Sequence, residues 1–332
     1  MKKVLITGIA GLLGANFSRY LLDKGYHVSG IDDLSGGYID NLDKRCIGHF
    51  YDFDLADLKS VEEAFHKEKP DYVFHFAAYA AEGLSPFIRN YNYTNNVLAS
   101  ANVINACVNN DVKKIVFTSS MAVYGHGNPP FTEEQLPCPE DPYGIAKYAV
   151  ELDLKLAKEM FGLDYSIVRP HNVIGMYQNI WDRYRNVIGI WIRKAINGEP
   201  LTIYGDGTQK RAFSDIKFYM DPFEQLMFSH AGETFNIGAD KEFSINEVCN
   251  IVIDIANEFG IKATKVHLEK RNEVHTAYCD HKKAKQLLNF SDNTDIKQTI
   301  REMFSWALKE PNRQIKNMNY EIEKNMYSFW KK

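Results

Sequence analysis

Cysteine is sparse and scattered in this chain. The five cysteines, Cys46, Cys107, Cys138, Cys249 and Cys279, are odd in number and show no Cys-x-x-Cys spacing. That argues against a disulfide framework or a metal site and fits a reducing compartment. Long apolar runs are also missing, and the longest fall far short of the roughly 20 residues of a membrane span. No charged-then-apolar stretch with a small-residue cleavage site opens the sequence, so the expected location is the cytoplasm, away from membranes. Nor is there an excess of positive charge. The net charge of −4 gives no electrostatic basis for binding nucleic acid. What remains is an ordinary globular balance, 45% hydrophobic and 25% charged, in 332 residues. That is enough for one large domain or two smaller ones sharing a cleft, and it favours concave, small-molecule chemistry.

The first half alternates short apolar runs with amphipathic stretches. Val4–Thr7, Val28–Ile31, Tyr72–Phe76 and Lys114–Thr118 read as strands. Ala15–Lys24, Val61–Lys67 and Asn95–Asn109 read as helices between them. Buried strands alternating with helices imply a parallel sheet covered on both faces, an α/β doubly wound architecture. Ligands of such sheets bind at the C-terminal strand ends, where Asp32, Phe76-Ala77-Ala78 and Thr118-Ser119-Ser120 fall.

Between the first strand and the first helix stands Gly8-Ile9-Ala10-Gly11-Leu12-Leu13-Gly14. A glycine permits the tight turn, another admits a pyrophosphate to backbone N–H groups at the helix N-terminus, and a third allows close helix packing. Asp32 ends the second strand, about 20 residues further on, where a carboxylate accepts hydrogen bonds from ribose hydroxyls and repels a 2′-phosphate. The pattern predicts NAD rather than NADP. Asp54-Leu55 is expected to flank the adenine, with Asp52 the competing acceptor.

Asp141-Pro142-Tyr143-Gly144-Ile145-Ala146-Lys147 reads as a helix start, with Asp141 as cap and Pro142 in the first turn. Residues four apart share a helix face, so Tyr143 and Lys147 are expected to point into one space. A phenol beside a cation has a lowered pKa and becomes a usable base. A surface Tyr–Lys pair is the plain alternative.

Taken in order, these pieces resemble the extended short-chain dehydrogenase/reductase family, the NAD-dependent nucleotide-sugar epimerases and dehydratases. The matching segments are the Thr7–Gly14 loop, His75-Phe76-Ala77-Ala78, Thr118–Gly125, Tyr143-x-x-x-Lys147, Arg169–Gly175 and Ile203–Arg211, within residues 3–280. The resemblance implies a Rossmann-type domain over 1–170, a smaller loop-rich α/β substrate region over 171–310 with segments returning to the first, and a tail over 311–332. It implies that Tyr143 is the general base or acid and that Lys147 holds the nicotinamide ribose. Ser120 would steady the reacting sugar oxygen, with Ser119 the alternative. Asn92 would contact the cofactor. Asn172, Asn186, Arg211 and Arg271 would hold the nucleotide diphosphate, most like a UDP-sugar, with a GDP-sugar the alternative. It also implies a homodimer, since helices 95–109 and 148–160 match those that pair in many members of the family.

The reaction implied is most like that of a UDP-hexose 4-epimerase acting through a transient 4-keto sugar. The family's dehydratases carry an acidic pair, and its decarboxylases a Glu, where this sequence has Met121 and Ala122. A product-releasing 4-dehydrogenase or 4-ketoreductase uses the same residues and is the alternative. Departures blur the substrate. Lys270-Arg271-Asn272-Glu273-Val274 is one residue short of the usual motif, leaving Lys270 as an alternative to Arg271. The resemblance puts Ala277 at the position that gates the sugar pocket in hexose 4-epimerases, and a small residue there implies tolerance of a 2-acetamido group. Tyr177, Trp181 and Tyr184 are expected either at the sugar or in the core.

Overall fold

The computed structural model describes residues 1–127, 129–270 and 276–331, with the side chains of Thr276 and Ala277 outside that description. Six strands build most of one sheet: β1 (Lys3–Thr7), β2 (His27–Asp32), β3 (Phe50–Asp52), β4 (Tyr72–His75), β5 (Lys114–Thr118) and β6 (Asp164–Pro170). Strand Glu233–Ile237 joins beyond β6, so the order is 233–237, β6, β5, β4, β1, β2, β3, every pair parallel. The order reverses between β1 and β4, which leaves a crevice at the C-terminal ends of the strands. This is a Rossmann-type sheet.

Apolar strands are buried because both faces are covered. One face packs Val4, Ile6, Phe74 and Val116 with Phe17 of α1 (Leu12–Asp23) and Phe223. The other packs Leu5, Val73, Ile115 and Phe117 with Phe65 of α2 (Leu58–Glu68), Val103 and Leu154. The stretch expected as one helix over 95–109 begins earlier, as α3 (Arg89–Tyr93). It passes through a π-turn at Thr94–Leu98 into α4 (Ala99–Asn109). Helix α5 (Pro142–Phe161) carries the Tyr–Lys pair.

A second core gathers Trp191 and Ile192 of α6 (Val187–Ile196) with Ile203, Phe213, Val248, Val252, Ile300 and Phe304. It supports the opposite wall of the crevice. Among the described residues, no helix is long and apolar enough to cross a membrane.

Candidate active site

The glycine turn is built for close approach. Gly8 has φ +72°, and a Cβ there would fall 2.8 Å from the backbone nitrogen of Ala77. A Cβ on Gly14 would fall 2.2 Å from the Gly8 carbonyl oxygen, so α1 rests directly on the turn. Gly11 is the N-cap of α1, with no side chain capping the helix. Its positive end is thus left to whatever lies in the crevice. Asp32 is buried at the end of β2, and its two oxygens accept the N–H groups of Ala10 and Leu34, each at 2.9 Å. Burial pushes its pKa up to about 6, against those two hydrogen bonds.

Gly8, Gly11, Leu12, Leu13, Asp32, Asp54, Leu55, Phe76, Ala77, Ala78 and Thr118 all line one cavity of about 1330 Å³. Asp52 is not on its wall. Thr118 Oγ1 is buried there with no hydrogen-bond partner among the described residues. Asn92 departs from expectation. It is fully buried, its amide donates to Pro142 O at 2.9 Å, and its carbonyl oxygen accepts from Asn96 at 2.9 Å. Its side chain is spent tying α3 to the start of α5, and Asn95 is the residue of this segment that reaches the cavity.

Helix α5 starts as the sequence implies. Asp141 accepts the N–H groups of Tyr143 at 2.8 Å and Gly144 at 3.1 Å, and Pro142 occupies the first turn. Tyr143 and Lys147, both almost wholly buried, line the same cavity. Lys147 Nζ donates to Thr118 O at 2.8 Å and lies 6.0 Å from the centre of the Tyr143 ring. Burial pulls the Lys147 pKa down to about 7, with Glu151 opposing. The expected lowering of the Tyr143 pKa is not what the structure gives. Burial raises it, and the negative charge of Glu82 adds to the rise. The hydrogen bond with Ser120 and the charge of Arg185 pull the other way without outweighing burial.

Their hydrogen bonds separate the two serines. Ser119 Oγ is committed to Glu151 at 2.5 Å, inside a buried cluster in which Arg169 holds Glu151 with two hydrogen bonds. Ser120 Oγ accepts the N–H of Ala122 at 3.1 Å, capping the turn after β5, and Ser120 lines the cavity together with Tyr143. Met121 and Ala122 line the cavity beside it.

Across the cavity stand Asn172, Asn186 and Arg211. Asn186 caps α6 through Ile188 N at 3.0 Å, and Asn172 donates to Ala212 O at 3.0 Å. Arg271 lies outside the described residues, as does the Ala277 side chain; the Ala277 backbone pairs with Arg211. Of the three aromatic residues near 180, Tyr184 lines the cavity, Trp181 joins the second core, and Tyr177 is covered by Arg19 at 4.2 Å.

The profile of the NAD dependent epimerase/dehydratase family matches residues 4–238. The chain belongs to this family. A putative UDP-glucose 4-epimerase of Methanocaldococcus jannaschii is 32% identical over 313 residues, 93% of this chain and 99% of that one. The UDP-N-acetylglucosamine 4-epimerase of Methanobrevibacter ruminantium, solved with UDP-N-acetylmuramic acid, is 33% identical with a TM-score of 0.83, covering 92% and 98% of the two chains. The UDP-glucuronic acid 4-epimerase of Bacillus cereus, solved with UDP-glucuronic acid and NAD, is 26% identical with a TM-score of 0.80, covering 92% and 99%. The chain is thus an NAD-dependent enzyme of the epimerase/dehydratase family.

The residues present fit that cofactor. An uncapped helix end, a turn with no room for a Cβ, a buried acceptor at the end of β2 and the unpartnered Thr118 hydroxyl lie along one continuous wall. The epimerase-family resemblance did not bring out several other cavity residues. Arg185 is half-buried between Asp182, at 3.1 Å, and the Tyr79 ring, at 4.4 Å. Glu82, Arg183 and Arg193 also line the cavity, as do Tyr327, Phe329 and Trp330 of the tail. The signal that could have found the last three is the run of aromatic residues near position 330.

Proposed function

We propose that this protein is a nucleotide-sugar 4-epimerase acting on a UDP-hexose or its 2-acetamido form. The observation that carries the reading is the Tyr143–Ser120–Lys147 group in a cavity where Met121 and Ala122 offer no second acid or base. When bound, NAD supplies the acceptor and donor of hydride at C4 and a positive charge close to the phenol. Asp32 would accept the adenosine ribose hydroxyls, and the start of α1 would hold the pyrophosphate. Lys147 would hold the second ribose through its ammonium. Ser120 orients the C4 hydroxyl, and Tyr143 takes its proton as the sugar becomes a 4-keto species. The same phenol returns the proton after the sugar has turned its other face. Arg211 and Asn172 would hold the diphosphate, which lets the sugar swing about a fixed anchor.

The cavity volume supports this reading. About 1330 Å³ exceeds the ordinary range for one small ligand and suits a dinucleotide and a nucleotide sugar together. The similarity to an N-acetylglucosamine epimerase supports tolerance of an acetamido group.

The purified protein should convert a UDP-hexose to its C4 epimer at unchanged mass with no cofactor added, read by mass spectrometry and proton NMR. Conversion only with added NAD, by loss of two hydrogens, would instead identify a dehydrogenase, and loss of water a dehydratase.

We also propose a homodimer. Ile145, Leu152, Leu156 and Met160 expose an apolar stripe along α5, with Leu98 in the neighbouring π-turn. A face of that kind calls for a partner.

A further inference from the structure

At the far end of the sheet from the crevice, three elements converge on one carboxylate. His27 opens β2, the strand that Asp32 closes, and His49 immediately precedes β3. Glu68 is the last residue of α2, and its side chain is only 6% exposed. His27 Nε2 lies 3.3 Å from Glu68 Oε2, and His49 Nδ1 lies 3.2 Å from Glu68 Oε1. The two rings meet edge to face, with centroids 4.3 Å apart. Tyr51 OH donates to Glu68 Oε1 at 2.6 Å, and Lys3 Nζ donates to Glu68 O at 3.1 Å, which holds the end of α2 in place. His27, His49 and Glu68 all lie off the wall of the catalytic cavity.

A buried carboxylate is costly without a cation beside it. Among the described residues, no lysine or arginine side chain pairs with the Glu68 carboxylate, and its ion-pair partners are the two imidazoles. One atom from each of the three side chains can be chosen so that all lie within 4.8 Å of one another. Ligands of a tetrahedral zinc ion, about 2.0–2.1 Å from the metal, stand about 3.3 Å apart. Each imidazole is already at that separation from the carboxylate. Both histidines are half-buried, so an ion can enter from solvent. Imidazole and carboxylate together suit a borderline-soft divalent ion, and Tyr51 steadies the carboxylate as outer partners of metal ligands do. The scattered cysteines argue against a thiolate site, and this one uses no thiolate.

We propose that His27, His49 and Glu68 form a binding site for a divalent transition-metal ion of the zinc class, with water completing its shell. Each imidazole offers the nitrogen that faces Glu68 and keeps a proton on the other. The ion ties the end of α2 to the edge strands β2 and β3. The test is calorimetric titration of zinc chloride into the full-length, NAD-loaded protein after dialysis against a chelator. Wild type should bind one zinc ion. His27→Gln and His49→Gln should each raise Kd at least about a hundredfold, and Tyr51→Phe about tenfold, within the range for a lost outer partner. His66→Gln, at an exposed histidine of the same helix, should bind as wild type does. Zinc should also raise the Tm of wild type by a few degrees and leave that of the His27→Gln, His49→Gln double variant unmoved, because an ion that binds only the folded state stabilises it. Retained NAD shows that each variant is folded. A wild-type protein that binds no zinc, or binds it no more tightly than the double variant, would overturn the proposal.

Discussion

At the scale of single residues, burial decides the chemistry. Tyr143 is almost wholly buried, so its phenol holds its proton until a positive charge is placed beside it. Tyr143→Phe keeps the ring and removes the proton carrier. It should lower kcat by roughly 10²–10⁴, the range for a lost general acid or base, with little change in UDP-sugar affinity. Steady-state kinetics and calorimetry together check this. Asp32 gives a pH prediction. Its folded pKa is raised to about 6, so its carboxyl gains a proton as pH falls through that value and can no longer accept from both ribose hydroxyls. NAD affinity should therefore weaken below about pH 6 and hold above it. Asp32→Asn should bind NAD weakly at every pH. The spacing of Tyr143 and Lys147 was legible in the sequence, but the sign of the tyrosine shift was not. Residue identity tells which charge is near, whereas the depth of burial is a property of the whole fold.

At the scale of elements, two joints hold the catalytic helix. Asp141 caps α5 and also accepts from Ser85 Oγ at 3.1 Å. Replacing it with alanine should cost about 1 kcal/mol in a urea titration. Glu151 pairs with Arg169 where both side chains are almost wholly buried, joining α5 to β6. Glu151→Gln leaves the guanidinium without its counter-charge and should cost about 3–5 kcal/mol. Four strands of the main sheet, β1, β2, β4 and β5, were legible because each is a short apolar run ending at a turn residue; β3, β6 and Glu233–Ile237 were not. Asn92 was not. It sits at the expected position in the chain, but its amide bonds pack α3 onto α5 and turn it from the cavity.

At the scale of the whole molecule, the crevice is closed by parts far apart in sequence. Glu321 caps Asn90, and Phe329 meets Tyr204. Contacts of that span leave no local period, so nothing in the sequence marks where the tail's aromatic residues pack. Subunit assembly belongs to this scale too. Leu152→Glu with Leu156→Glu puts charge on the exposed stripe of α5, and sedimentation should then find a monomer where wild type sediments as a dimer. The central claim is that C4 of the sugar is oxidised and restored within one closed site. Its most direct test is a UDP-hexose carrying deuterium at C4, turned over in ordinary water and read by NMR. The account predicts that the C4 epimer keeps its deuterium at C4. Loss of the label to solvent would contradict it.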